Sequence, residues 1–242
     1  MSRVVLVTGA ARGIGAATVR ALAGRGDRVV AVDELAVSPQ GDQVVAHVAD
    51  VRDRAALATA VGLALDRWGR LDAAVAGAAV IAGGRPLWET PQADLDLLWD
   101  VDVKGVWNTA AATVPAMLAG PDPTGCRFVA IASAAAHHGL HHLAAYNAAK
   151  HAVVGLVKGL AADLAGTGVS ACAVSPGSTR TPMLEATAAL YGLDDIDGFA
   201  GNQLLRRVLE PDEVAATVAF CCSREAAVLN GSVVHADGGF AP

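Results

Sequence analysis

The chain has 242 residues, is 53% hydrophobic but only 4% aromatic, and carries a net charge of −6. That length fits one large α/β domain as well as two small ones, and the apolar fraction supplies a large core in which alanine dominates. The acidic balance, with no basic block anywhere, argues against a nucleic-acid partner and against an anionic membrane surface.

Residues 3–7 read as a short apolar strand, followed by Thr8-Gly9-Ala10-Ala11-Arg12-Gly13-Ile14-Gly15 and a helix over 16–23. Strand, glycine turn and helix form the context of a dinucleotide cradle. Gly9, Gly13 and Gly15 let the backbone turn tightly and approach a pyrophosphate, and the helix N-terminus offers it free N–H groups. Arg12 stands in the same loop. The chain opens almost directly on this strand, which leaves no room for a secretory signal. The next strand, 28–32, ends at Asp33, twenty residues after Gly13, where a ribose-binding acid is expected. A carboxylate there accepts bonds from both ribose hydroxyls and repels a 2′-phosphate, so NAD is favoured over NADP.

Residues 44–48 read as a third strand. Asp50, just after it, either contacts an adenine edge or caps a helix over 53–68. A fourth strand spans 72–76. Strands alternating with helices predict a parallel, doubly wound sheet with helices on both faces. The connection 76–91 carries Gly83, Gly84, Arg85 and Trp88. A long helical region, 92–119, is only weakly amphipathic and is expected to bury one side against a partner subunit. Its stretch 105–121 has no formal charge, yet Asn108, Thr109, Thr113 and Pro115 mark it as a buried or interface helix, not a membrane span. A turn at 121–125 precedes the apolar strand 128–132, which leads to Ser133.

His137, His138, His141 and His142 follow. Gly139 interrupts them and no acid stands nearby, so no metal is assigned. They line a substrate pocket or pack in a subunit contact, and that pocket is expected near residues 134–142, 85–88 and 183–205, largely apolar with histidines. A helix over 143–164 carries Tyr146 and Lys150, and 169–174 is a further strand. Residues 178–207 read as loop and short helices, the longest irregular stretch and a candidate lid. A helix over 211–223 starts at Pro211, and the last strand is 232–235. With no repeat and no linker, residues 1–242 read as a single domain. Cys126, Cys172, Cys221 and Cys222 show no zinc spacing, and the expected setting is reduced and cytoplasmic.

Tyr146 and Lys150 are four apart, which stacks them on one helix face. A phenol with a reference pKa of about 10 is a poor base near neutrality. A nearby ammonium favours the phenolate and moves it toward acid–base work. Ser133, at a strand end, reaches the same phenol despite its distance in sequence.

The glycine turn, the strand-end acid, Ser133, Tyr146-x3-Lys150 and Ser175-Pro176-Gly177, in this order, resemble the short-chain dehydrogenase/reductase family over residues 4–239. The resemblance implies a single Rossmann domain with about seven parallel strands, assembled as a homotetramer or dimer. It implies hydride transfer between NAD(H) and an alcohol or ketone. Tyr146 is then the general acid/base. Lys150 holds the nicotinamide ribose, Ser133 positions the substrate oxygen, and Thr181 contacts the carboxamide. Gly9, Ile14, Asp33, Asp50, Val51, Ala76, Pro176 and Gly177 match cofactor positions. Asp102 stands where the family's fourth catalytic residue is an Asn. Ala76-Gly77-Ala78-Ala79 stands where Asn-Asn-Ala-Gly is usual. That departure, residues 81–90 and the ending His235-Ala236-Asp237-Gly238-Gly239-Phe240 resemble the mycofactocin-coupled subgroup, which implies NAD(H) held without ready exchange and reoxidised by a separate redox carrier. Two other functions compete. An NADPH-dependent carbonyl reductase would use Arg12 against a phosphate, but Asp33 speaks against it. A non-catalytic nucleotide sensor has no need of Ser133, Tyr146 and Lys150 together.

Overall fold

The computed structural model describes residues 2–38 and 41–241. Seven strands form one parallel sheet: β1 (Val4–Thr8), β2 (Arg28–Asp33), β3 (Val44–Val48), β4 (Ala73–Ala76), β5 (Arg127–Ile131), β6 (Ser170–Pro176) and β7 (Val233–Ala236). Their order is β3-β2-β1-β4-β5-β6-β7. The central strands are continuous apolar runs because both faces are covered. Alternation within a strand sorts the side chains. Val5 and Val7 pack with α1 (Gly13–Gly24) and α7 (Pro211–Cys221) on one face. Val4 and Leu6 pack on the other face with α2 (Arg54–Trp68), α4 (Lys104–Ala119) and α5 (Ala144–Asp163). Small alanines on the strands let these helices approach closely.

After β3 the chain crosses back to lay β4 on the other side of β1. The connections leaving β1 and β4 therefore diverge at the carboxyl ends of the strands, and ligands bind such sheets at that crevice. The fold is thus the single doubly wound domain expected, with helix and strand boundaries displaced by a few residues.

Three differences have physical causes. Asp72 lies just outside β4, where its carboxylate accepts from the Val4 N–H at 2.8 Å and pairs with Arg70 at 2.6 Å. The helix expected over 92–119 is divided into α3 (Gln92–Leu98), a π-helical turn (Trp99–Val103) and α4. The candidate lid is loop and short helices, as expected, among them α6 (Pro182–Leu190), started by Pro182 and capped by Thr181, whose hydroxyl accepts from Leu184 N–H. Asp53, not Asp50, caps α2, accepting from Ala55 and Ala56 N–H. Among the described residues no helix is long and apolar enough to cross a membrane. All four cysteines are buried and free.

Candidate active site

One cavity of about 830 Å³ runs along the carboxyl edge of the sheet, from the β1–α1 turn to α6. Its first half is the glycine turn and the acids facing it. Gly9, Arg12, Gly13, Ile14, Gly15, Asp33, Asp50 and Val51 all line it. A Cβ on Gly15 would overlap the Gly9 carbonyl oxygen. Gly9 itself has φ +73°, and a Cβ there would stand 2.7 Å from the Ala78 nitrogen. Only glycine closes the turn this tightly. No side chain caps the first-turn amides of α1, so they remain donors for an anion. Asp33 accepts from Ala11 N–H and Leu35 N–H, both at 2.9 Å, which fixes its carboxylate at the cavity wall. Glu34 lines the cavity beside it. Asp50 pairs with Arg52 at 2.5 Å, and the hydrogen bond from Arg52 holds its carboxyl below the usual carboxylate range. A turn that admits only backbone, free helix amides and two acids at the sugar end fit a dinucleotide.

The second half holds the chemistry. Ser133, Tyr146 and Lys150 open onto the same cavity, with Pro176, Gly177 and Thr181 across from them. Ser133 leaves the end of β5, and its hydroxyl accepts from Ala135 N–H at 3.2 Å. Tyr146 lies in the first turn of α5 and Lys150 one turn on. The Lys150 ammonium is 5.5 Å from the phenol ring centre and donates to the Ile131 carbonyl at 3.5 Å. Burial pushes the Tyr146 phenol above its ordinary value, against the pull of Lys150 and of a hydrogen bond from Ser133. The phenol hydroxyl also donates to the soft Met183 sulfur, at 3.9 Å.

Asp102 is not in the cavity wall. The π-helical turn aims it inward, where its side chain is fully buried, Oδ1 accepts from Val80 N–H at 2.9 Å and Oδ2 sits 3.0 Å from Lys150 Nζ. Such turns widen a helix by one residue and recur at functional sites. Burial alone would lower the Lys150 pKa, but the Asp102 carboxylate outweighs it and holds the ammonium above its ordinary value. Burial pushes the Asp102 carboxyl up, against the attraction of Lys150. Of the four candidate catalytic residues, Asp102 alone lies outside the cavity lining, and it is joined to the others through Lys150.

Other expectations change as well. Ala76 packs into the core between sheet and helices, while Val75 before it and Gly77, Ala78, Ala79 and Val80 after it line the cavity. Of the four clustered histidines only His141 lines the cavity. His137 packs against His235 and His138 against Phe240. Among the described residues no three His, Cys, Asp or Glu side chains converge as a metal site. Arg85–Trp88, expected at the substrate, lies outside the cavity, with Trp88 exposed. The other two expected segments do line this end, through Leu140 and His141 and through Met183, Leu184, Thr187, Tyr191, Phe199 and Asn202, joined by Val80, Ile81, Leu97, Val101, Leu143 and Phe240. Phe240 escapes a sequence reading because it lies beyond the last strand. The glycine turn Asp237-Gly238-Gly239 ahead of it is the one signal that the chain folds back.

Residues 9–241 match a family described as Enoyl-(Acyl carrier protein) reductase. The chain is 34% identical to Oxidoreductase UcpA of Escherichia coli (strain K12), over 98% of this chain and 94% of that protein. It is 35% identical to the A-factor type gamma-butyrolactone 1'-reductase (1S-forming) of Streptomyces virginiae, over 98% and 95%. The solved 3-ketoacyl-(acyl-carrier-protein) reductase from Brucella melitensis, complexed with NADH, superposes with a TM-score of 0.88 at 30% identity, over 98% of this chain and 97% of that one. Parallel sheet, glycine cradle and a serine, tyrosine and lysine on one cavity agree with these likenesses, and the chain belongs to the short-chain dehydrogenase/reductase family of oxidoreductases.

Proposed function

We propose that the protein transfers hydride between NAD(H) and an uncharged, largely apolar alcohol or ketone, with Tyr146 as general acid/base. The observation that carries this reading is the single cavity onto which both the Asp33 end and the Ser133, Tyr146 and Lys150 end open. A bound nicotinamide supplies the acceptor or donor of hydride. Asp33 and Glu34 favour a free ribose diol over a 2′-phosphate, since two carboxylates would face the phosphate charge. Ser133 orients the substrate oxygen toward the phenol. In oxidation Tyr146 as phenolate takes the hydroxyl proton; in reduction the neutral phenol returns it. Lys150 holds positive charge beside the phenol in both directions. The substrate end has no Asp, Glu, Lys or Arg, so an anionic substrate would lose its hydration without a counter-charge there.

The same half of the cavity bears on the cofactor's fate. The cover over it is tied down by Arg180, which reaches Asp197 and Glu210 at 3.0 Å each. A tied cover supports NAD(H) that stays bound and is reoxidised in place by a mycofactocin-type carrier. Exposed Trp99, Trp107 and Leu118 along the π turn and α4 support assembly into a dimer or tetramer. The test is a panel of neutral secondary alcohols and their carboxylated analogues, assayed with NAD, with NADP and with an artificial electron acceptor. Turnover of neutral alcohols with NAD or with the acceptor is expected. No turnover of any alcohol, or a preference for NADP, would refute the reading.

A further inference from the structure

The buried partner of Lys150 has a consequence for the acid/base step, resting on the reading of Tyr146 given above. Three ionisable groups meet at Lys150: Asp102 Oδ2 lies 3.0 Å from its Nζ, and the Tyr146 ring centre 5.5 Å from the same nitrogen. The side chains of Lys150 and Asp102 are 3% and 0% exposed, so bulk water screens them little. The carboxylate is fixed by Val80 N–H on its other oxygen, and the ammonium by the Ile131 carbonyl. The groups bearing on the phenol are Lys150 from its own helix, Asp102 from the π turn, Ser133 from the end of β5 and the uncharged Met183 from α6.

We propose that Asp102 is a positioning residue that acts electrostatically, clamping Lys150 and cancelling most of its field at Tyr146, so that the phenol stays neutral through the neutral pH range. A lone buried ammonium would stabilise the phenolate; an ammonium already neutralised by a carboxylate does so much less. The ketone-reducing form, which needs the protonated phenol, is then the resting state at neutral pH. The alcohol-oxidising form grows only as pH rises into the alkaline range.

The test needs no substrate, so its failure is separable from failure of the acid/base assignment. Tyr146 and Tyr191 are the chain's two tyrosines. In a Tyr191→Phe background, near-ultraviolet absorbance of tyrosinate therefore reports Tyr146 alone in the full-length protein. Removing the carboxylate with Asp102→Asn keeps an acceptor for Val80 N–H, and the tyrosinate midpoint should fall by about one pH unit, the effect of one charge at this range in a protein interior. A residue that only braces the fold would change the melting temperature and leave the midpoint in place. An unchanged or higher midpoint overturns the proposal. With Asp102 intact the midpoint should lie at or above the reference phenol value of about 10. A midpoint well below that overturns the proposal even if the Asn variant fails to fold.

Discussion

The Tyr191 hydroxyl donates to the carbonyl of His141 at 2.5 Å, joining the residue that ends α6 to the loop between β5 and α5. The neighbouring His142 carbonyl accepts from Gly84 N–H at 2.9 Å, so the loop after β4 is held at the same point. Three segments with no helix or strand in common thus close the substrate end of the cavity. If this clasp governs release, Tyr191→Phe should speed dissociation of bound NADH about fivefold, the worth of one partly exposed hydrogen bond. Stopped-flow release into excess competing nucleotide measures it. An identical rate would assign slow release to some other contact.

Tyr146→Phe should keep nucleotide binding and lower turnover about a hundredfold to ten-thousandfold, because only the proton-transfer group is removed. The direction of pH dependence follows from the raised phenol. Oxidation needs the phenolate, so its rate should climb with pH into the alkaline range. Reduction needs the phenol, so its rate should hold across neutral pH and fall only as the phenol ionises. Paired pH–rate profiles on one alcohol–ketone couple check both signs. A Phe variant that retains most of its kcat would remove Tyr146 from the mechanism.

Much of this site is legible in the sequence because its parts are local. Tyr146 and Lys150 meet through a four-residue spacing on one helix. Asp33 is found from a strand end after a glycine turn. What is not legible depends on one-residue offsets or on distant packing. Ala76 ends β4 between Val75 and Gly77, and the alternation of side chains turns it into the core while its two neighbours line the cavity. The nearness of Asp102 to Lys150 follows from the family resemblance, but the π-helical turn that carries Asp102 is not announced by hydrophobic spacing. Phe240 reaches the cavity from a chain end whose path only the folded chain defines.

Trp107 lies on α4 and is 60% exposed, an unusual place for an indole on a surface that also shows Trp99 and Leu118. If this face is a subunit contact, Trp107→Lys places a charge in an apolar interface and should shift the protein to a smaller assembly. Light scattering coupled to size exclusion reads the mass directly. An unchanged mass would move the contact to another face.

Asp33 tests the choice of cofactor. Its two oxygens already accept from Ala11 and Leu35 N–H, so the carboxylate is anchored and faces the cavity as a fixed negative charge. Asp33→Ala removes an acceptor for the ribose hydroxyls and one of the two charges that oppose a 2′-phosphate; Glu34 retains the other. NAD affinity should fall by about tenfold to a hundredfold, as expected on losing hydrogen bonds to a charged group. NADP affinity should rise or stay level, because Arg12 remains in the cavity wall. The ratio of the two dissociation constants, measured by titration calorimetry on nucleotide-free protein, separates this from damage to the loop, which would weaken both cofactors alike. Asp33→Asn supplies the control. It keeps an oxygen for Ala11 N–H but not the charge, so a ratio shifted as far by Asn as by Ala would assign the preference to electrostatics. A ratio unchanged in both variants would reduce Asp33 to a loop anchor.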